Sequence, residues 1–325
     1  MLAFLLRRLG QSVLVIAVMA TLVFVGVYAL GSPIDILISP EADQAEREAA
    51  IARLGLDQPL WVQFFVFVKN ALAGDLGRSF VHGVPAIDLI LSRMPATLEL
   101  AFVALVFSIA LGIPLGLLAG LRPHSWAGRT IMTGSIFGFS LPNFWLGLML
   151  ILVFAVEWKV LPAGGRGETR QFLGLQWSLF TLDGLHHLLL PALTLAIYKA
   201  SLVARLAYAS TRETMLQDFV RFARAKGLSQ TRIVGVHVLK TILIPVVTVV
   251  GLELGSMIAF AVVTETVFAW PGMGKLLIDS IYRLDRPVIV AYLMVIVATF
   301  VLINLIVDII YSLLDPRIRL SERKA

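Results

Sequence analysis

The chain is predicted to be an all-α polytopic membrane protein with six transmembrane helices. Of its 325 residues, 58% are hydrophobic and only 15% charged, which lies outside the range of soluble domains. Charge-poor runs of about twenty residues, the length that crosses a hydrocarbon core, recur along it. The runs are continuous rather than alternating, which argues against a β-barrel. There is no cysteine, so disulfides, thiol catalysis and cysteine-ligated metals are excluded. The net charge of +6 is explained by Lys and Arg gathered on one side of a bilayer rather than by nucleic acid.

Arg7 and Arg8 precede an uncharged segment, residues 9–34, too long for a signal-peptide core and without a small-x-small cleavage site. It reads as the first span, entering from the cytoplasm. Residues 33–93 form a long polar excursion with an acidic excess, placed outside. Within it, 40–54 is a charged helical piece with Glu41, Asp43, Glu46 and Glu48 toward its start, as the helix dipole favours. Gly55 and Pro59 break it. An amphipathic stretch, 61–72, follows, and two readings stand for its Trp61, Phe64, Phe65 and Phe67: placement at headgroup level, or packing on neighbouring helices.

The second span is 96–121, with Glu99 near its outer end and Pro114 permitting a kink. A short basic loop, 122–129, leads to the third span, 130–156, interrupted at Pro142–Asn143. A Gly-rich external loop, 159–183, contains Leu161-Pro162-Ala163-Gly164-Gly165. The fourth span, 187–209, holds Lys199, and the fifth, 241–264, holds Glu253. The external turn Trp270-Pro271-Gly272-Met273-Gly274 precedes the sixth span, 287–313. Its two glycines, two apart, suggest backbone geometry closed to other residues and a short re-entrant or interfacial helix. The tail carries Arg317, Arg319, Arg323 and Lys324. Basic residues concentrate in the two termini and in the loops after spans two and four, so both termini are expected in the cytoplasm. No internal repeat is evident, which weighs against inverted-repeat secondary transporters.

Residues 218–245 stand apart as a basic, amphipathic island between two apolar spans. From Thr214 to Arg224, polar Thr214, Gln217, Asp218, Arg221 and Arg224 recur three or four apart. Apolar Met215, Phe219, Phe222 and Ala223 recur on the same spacing in another phase, which predicts one helix with a wet and an aromatic face. Gly227 is placed to end it in the left-handed conformation, and Ser229 to cap the next helix. A plain linker gains nothing from two aromatics in water, so Phe219 and Phe222 point to a docking helix for a soluble partner.

The run Arg221-Phe222-Ala223-Arg224-Ala225-Lys226-Gly227-Leu228-Ser229 resembles the cytoplasmic coupling loop of ABC importer permeases in its peptide-transporter variant. His237, Pro245, Thr248, Gly251 and Gly255 follow at offsets similar to that variant. Glu265-Thr266-Val267-Phe268 and the Trp270–Gly274 turn resemble its external segment after span five. Gly55-Leu56-Asp57-Gln58-Pro59 and Gly74-Asp75-Leu76-Gly77-Arg78-Ser79 resemble its first periplasmic region. Three departures stand out: Gly31-Ser32-Pro33-Ile34-Asp35 where the family has Pro-Gly-Asp-Pro, Glu253 where an uncharged residue is usual, and Arg283-Leu284-Asp285-Arg286-Pro287 for Arg-Asp-x-Pro.

The resemblance, to the first of the two permeases of dipeptide, oligopeptide and nickel importers, implies a type I ABC importer permease fold with a periplasmic insertion after helix 1. It divides the chain into residues 1–93 (first helix and periplasmic region), a five-helix permease domain at 94–313 with the coupling loop at about 211–240, and a cytoplasmic tail at 314–325. It implies a non-enzymatic subunit of the bacterial inner membrane with no cofactor and no metal of its own. The implied partners are a second permease, two ATP-hydrolysing subunits, and a periplasmic or lipid-anchored binding protein that delivers peptides. No Gly-x-x-x-x-Gly-Lys-Ser/Thr loop is present. Asp218, Phe219, Arg221, Phe222, Ala223, Arg224, Ala225 and Gly227 would form the ATPase-coupling surface, and Trp270, Pro271, Gly272 and Gly274 a periplasmic gate or docking site. Lys199, Glu253 and Met257 would belong to the translocation pathway. Lys199 and Glu253 lie at similar depth, where a charge facing lipid costs at least about 2.5 kcal/mol. They either pair with each other or line the cavity and meet the termini of a peptide. Nickel chelates, glutathione, opines and sugars remain alternative cargoes. A membrane enzyme would need clustered His, Asp or Glu, and the sole candidate, His186-His187, lacks a carboxylate neighbour in this reading. An ATP-independent transporter would draw on Glu253 as an ion site, but leaves the coupling loop without a role.

Overall fold

A computed structural model describes residues 2–29, 43–53 and 57–314. The Gly31–Asp35 departure, Gly55-Leu56 and the basic tail with Arg317, Arg319, Arg323 and Lys324 lie outside the described residues.

The helices are α1 (Leu2–Ala29), α2 (Gln44–Arg53), α3 (Leu60–Leu72), α4 (Ala86–Leu121), α5 (Trp126–Ser140), α6 (Asn143–Leu150), α7 (Leu182–Met215), α8 (Asp218–Ala225), α9 (Leu239–Val267), α10 (Met273–Tyr282) and α11 (Arg286–Leu314). A two-stranded hairpin, β1 (Arg170–Phe172) and β2 (Leu175–Trp177), lies between α6 and α7. Among the described residues, five helices are long and apolar enough to cross a membrane. A sixth crossing is reached by counting α5 together with α6 and its π-helical continuation, Ile151–Glu157, but this pair is bent by 107°. The interruption expected at Pro142–Asn143 within 130–156 is thus a sharp break between two helices. Pro142 lacks an amide proton and sits in extended conformation, so the chain turns at Leu141–Pro142. The second expected span also starts earlier: α4 begins at Ala86, so the 93/94 boundary falls inside a helix.

The chain forms two compact units. One comprises Met1–Pro95 and Gly272–Leu302. In it, the α3 aromatics divide between the two readings: Phe64 and Phe67 meet Phe24 of α1 at 5.3 and 5.9 Å, while Trp61 and Phe65 are exposed. Two of the quoted motifs meet here. Buried Asp285 accepts hydrogen bonds from Ser79 Oγ, from the Phe80 amide at 3.0 Å and from the Val81 amide at 3.4 Å. The Gly74–Ser79 loop closes on itself through Arg78, which donates to the Gly83 carbonyl at 2.6 Å.

The other unit comprises Ala96–Pro271 and Ile303–Ala325. Within it, α4 approaches α7 closely. Gly112, Gly116 and Gly120 repeat every four residues, so they form one stripe on α4. A Cβ at each would lie 2.7 Å from Val203, 2.3 Å from the Ala204 carbonyl and 2.7 Å from Thr211, respectively. Small residues let two helix backbones approach this closely, which is how helices associate where lipid removes the hydrophobic drive. Val203 and Ala207 of α7 also form a buried cluster with Val246 and Val250 of α9, against which Leu105, Ile109 and Ile113 of α4 pack.

Candidate functional site

The island after span four is built as two elements rather than the one predicted. Thr214 and Met215 complete the 34-residue α7. The chain then turns at Leu216–Gln217, and α8 starts at Asp218, whose carboxylate lies in its first turn where the dipole favours it. Gly227 follows at φ 74°, the left-handed stop expected of it. Ser229 accepts from the Arg232 amide at 3.4 Å and caps a short helical segment, Gln230–Arg232, which passes through a π-helical stretch, Ile233–Val238, into α9.

α8 has an inner and an outer face. Val220 and Ala223 are buried with Ile233, Val238 and Ile242, and Leu117 of α4 and Leu239 pack against them. The wet and aromatic faces of the sequence reading are thus displaced. Ala223, grouped there with the phenylalanines, belongs to the inner face, while Phe219 is 39% and Phe222 69% exposed. Arg221 and Asp218 form a solvent-exposed pair at 3.6 Å; Arg224 and Ala225 are also exposed. The helix is thus seated on small and branched apolar residues, with two aromatic rings turned outward.

Lys199 of α7 and Glu253 of α9 form an ion pair. Ser256 joins both: it accepts from Lys199 Nζ at 2.9 Å and donates to Glu253 Oε2 at 2.7 Å. The pair is 14% and 24% exposed, so neighbours in the chain cover most of it but not all. Met257, the third expected pathway residue, is fully buried.

Trp270 is fully buried, and its indole Nε1 donates to the Ala96 carbonyl at 2.8 Å. Pro271 is half-buried. The short helix expected at this turn is α10, with Gly272 as its N-cap and Gly274 buried in its first turn. The glycine argument is corrected: Gly272 is extended (φ −89°, ψ −178°), which any residue adopts, and the left-handed residue of this turn is Ala269 at φ 48°.

Sequence reading missed the setting of Glu99. Its carboxylate is fully buried and accepts from Arg166 Nε at 2.6 Å, from the Ser178 amide at 3.0 Å and from Ser178 Oγ at 2.7 Å. Arg166 also donates to the carbonyl of Gln176 in β2 at 2.6 Å, so the ion pair ties the segment carrying the β1–β2 hairpin to α4. An acid within an apolar run was the signal; its partners lie 67 and 79 residues away. His187 is likewise not devoid of a carboxylate, since Asp183, one turn earlier, lies 3.6 Å from its Nδ1. Among the described residues, no three His, Asp or Glu are grouped as a metal site.

Residues 112–320 match the family described as binding-protein-dependent transport system inner membrane component, and residues 1–101 match its N-terminal counterpart. The chain belongs to this family. The permease is 36% identical to the dipeptide transport system permease protein DppB of Escherichia coli K12, over 98% of this chain and 99% of that one. It is 38% identical to the oligopeptide transport system permease protein AppB of Bacillus subtilis and to the glutathione transport system permease protein GsiC of Escherichia coli K12, each over 98% of this chain and 99% of the relative. Inward-facing structures of the MetNI methionine ABC transporter share its fold, with a TM-score of 0.55 and 20% identity over 70% of this chain and 96% of that one. The permease is thus an ABC importer membrane subunit, as the coupling-loop resemblance implied.

Proposed function

We propose that the permease forms half of the translocation pathway of an ATP-driven importer for di- and oligopeptides. The observation that carries this is similarity over nearly the full length to permeases named for dipeptides and oligopeptides. A similarly long match to a glutathione permease supports glutathione, itself a tripeptide, as a second cargo. A second permease, two ATP-hydrolysing subunits and a binding protein complete the machine, and both termini face the cytoplasm. Residues 1–93 serve as an N-terminal helix and periplasmic region, 94–313 as the permease domain, and 314–325 as the tail.

On this reading α8 sits in a groove of an ATPase subunit, with Phe219 and Phe222 as anchors, Arg221 and Arg224 at the rim, Asp218 and Gly227 setting the helix ends, and Ala223 holding it to the permease. ATP-driven closure of the two ATPases moves the two helices, and the permease halves follow as near-rigid bodies. Lys199 and Glu253 belong to the cavity wall, backed by Met257, and Trp270, Pro271, Gly272 and Gly274 to the region beneath the binding protein. The deciding experiment is uptake of radiolabelled di- and tripeptides into proteoliposomes holding the complete complex. Uptake that requires both ATP and the binding protein is expected; ATP hydrolysis stimulated by the binding protein with no import of any peptide overturns the peptide reading.

A further inference from the structure

Beside the Lys199–Glu253 pair lies a row of cations and rings that the fold does not explain. The Phe139 and Tyr198 rings stack at 4.7 Å and 19°. Arg205 places its guanidinium carbon 4.3 Å from the Phe139 ring centre, and Lys199 Nζ lies 5.2 Å from the Tyr198 ring centre. Tyr198 and Arg205 are seven residues apart on α7 and share a face. Lys199 and Arg205 are separated by six residues, about 9 Å along the helix. Phe139 is 38% exposed, so the row is open to whatever faces this side of the chain.

Two features give the row a purpose. Lys199 has a carboxylate; Arg205 has none within ion-pair distance among the described residues, and its one recorded contact is with the Phe139 ring. A guanidinium stacked on a ring keeps its edge N–H groups free for a planar anion, and carboxylate fits that fork in two-point fashion. Phe139 also lies immediately before the 107° break between α5 and α6. Irregular backbone within a membrane is tolerated where it is buried in protein or lines a water-filled cavity, not against lipid.

We propose that Arg205, held flat by Phe139, binds the C-terminal carboxylate of a short peptide in transit, with the Phe139–Tyr198 rings as the floor beside it. The ammonium group then lies toward Glu253, and the rise of about 9 Å along α7 between Lys199, which holds Glu253, and Arg205 is comparable with a chain of two or three residues at roughly 3.5 Å per residue. This deepens the peptide reading above and rests on it.

The test uses the complete complex in proteoliposomes, with dipeptide uptake and ATP hydrolysis measured together at saturating, loaded binding protein. Arg205→Gln is expected to lower uptake per ATP hydrolysed at least tenfold while stimulated hydrolysis is retained. Arg205→Lys, which keeps the charge and loses the fork and the stack, should fall between it and the native protein. At matched occupancy of the binding protein, a C-amidated dipeptide should be carried at least tenfold more slowly than the free acid by the native complex, and Arg205→Gln should abolish that preference. Native uptake per ATP in Arg205→Gln, or equal carriage of acid and amide by the native complex, overturns the proposal even though peptide import stands. Absence of peptide import by the native complex removes the peptide reading and this site together. If Arg205 serves a lipid phosphate instead, Arg205→Gln changes stability in anionic but not zwitterionic lipid and leaves the acid preference intact, which also overturns it.

Discussion

Glu99 and Leu117 stand about 27 Å apart along helix α4, and the two ends of the Ala96–Pro271 segment that they mark are finished in opposite ways. At the Glu99 end a buried carboxylate is satisfied inside the chain by one arginine, one amide and one hydroxyl. At the Leu117 end the chain buries Val220 and Ala223 of α8 but leaves Phe219 and Phe222 outside. The first end closes on itself; the second leaves two aromatic rings exposed. The contrast separates a charge that stabilises a fold from an apolar surface that does not, although sequence alone marks both as misfits. Between them lies Lys199–Glu253, paired like the first end and partly open like the second.

The largest effect is expected at the closed end. Glu99→Ala leaves Arg166 as a half-buried cation without its counter-ion, and loss of one partner of such a pair costs about 3–5 kcal/mol. Membrane abundance and melting temperature in detergent should both fall sharply. An unchanged melting temperature would break the comparison at its first term.

At the open end, Phe222→Ala should leave the melting temperature of the permease unchanged and weaken ATPase association by about 2 kcal/mol, as for a buried aromatic anchor. Pull-down of the ATPase subunits and substrate-stimulated hydrolysis read this directly. Intact assembly, transport and stimulation in Phe222→Ala would show that the exposed ring anchors nothing.

The middle site sharpens the contrast. If Lys199–Glu253 acts as a structural pair, Lys199→Glu combined with Glu253→Lys should restore the abundance lost by either single change. If it also faces cargo, Glu253→Gln should keep abundance and assembly yet alter transport of peptides that differ in charge. Uniform, native transport by Glu253→Gln would place the site with Glu99, as structure only.

The smallest effect is expected for the exposed Asp218–Arg221 pair, whose side chains are 88% and 70% exposed. Arg221→Ala should cost less than about 1 kcal/mol in assembly, and added salt should erase the difference. A salt-independent loss as large as that of Phe222→Ala would move Arg221 from the rim to the centre of the docking surface.

The helical class, the approximate position of most spans, the stop at Gly227 and the cap at Ser229 were determined by the sequence itself. Each depends on physics that acts locally: hydropathy summed over one bilayer thickness, a left-handed φ that glycine adopts freely, a hydroxyl within reach of an amide three residues on. The coupling-loop resemblance added the family in the same way, through a contiguous run of residues. Tertiary structure decided everything that needed two distant segments to meet. It turned Val220 and Ala223 inward and the phenylalanines outward, because the inner face is chosen by what Leu117 and Ile242 offer rather than by periodicity alone. It gave Glu99 an arginine and a serine from a loop that hydropathy reads only as a connector. It bent the third span at Pro142 and set Arg205 on the ring of Phe139, a residue 66 positions earlier in the chain. A pattern along the chain states that a polar group must be satisfied; only the approach of helices determines by what.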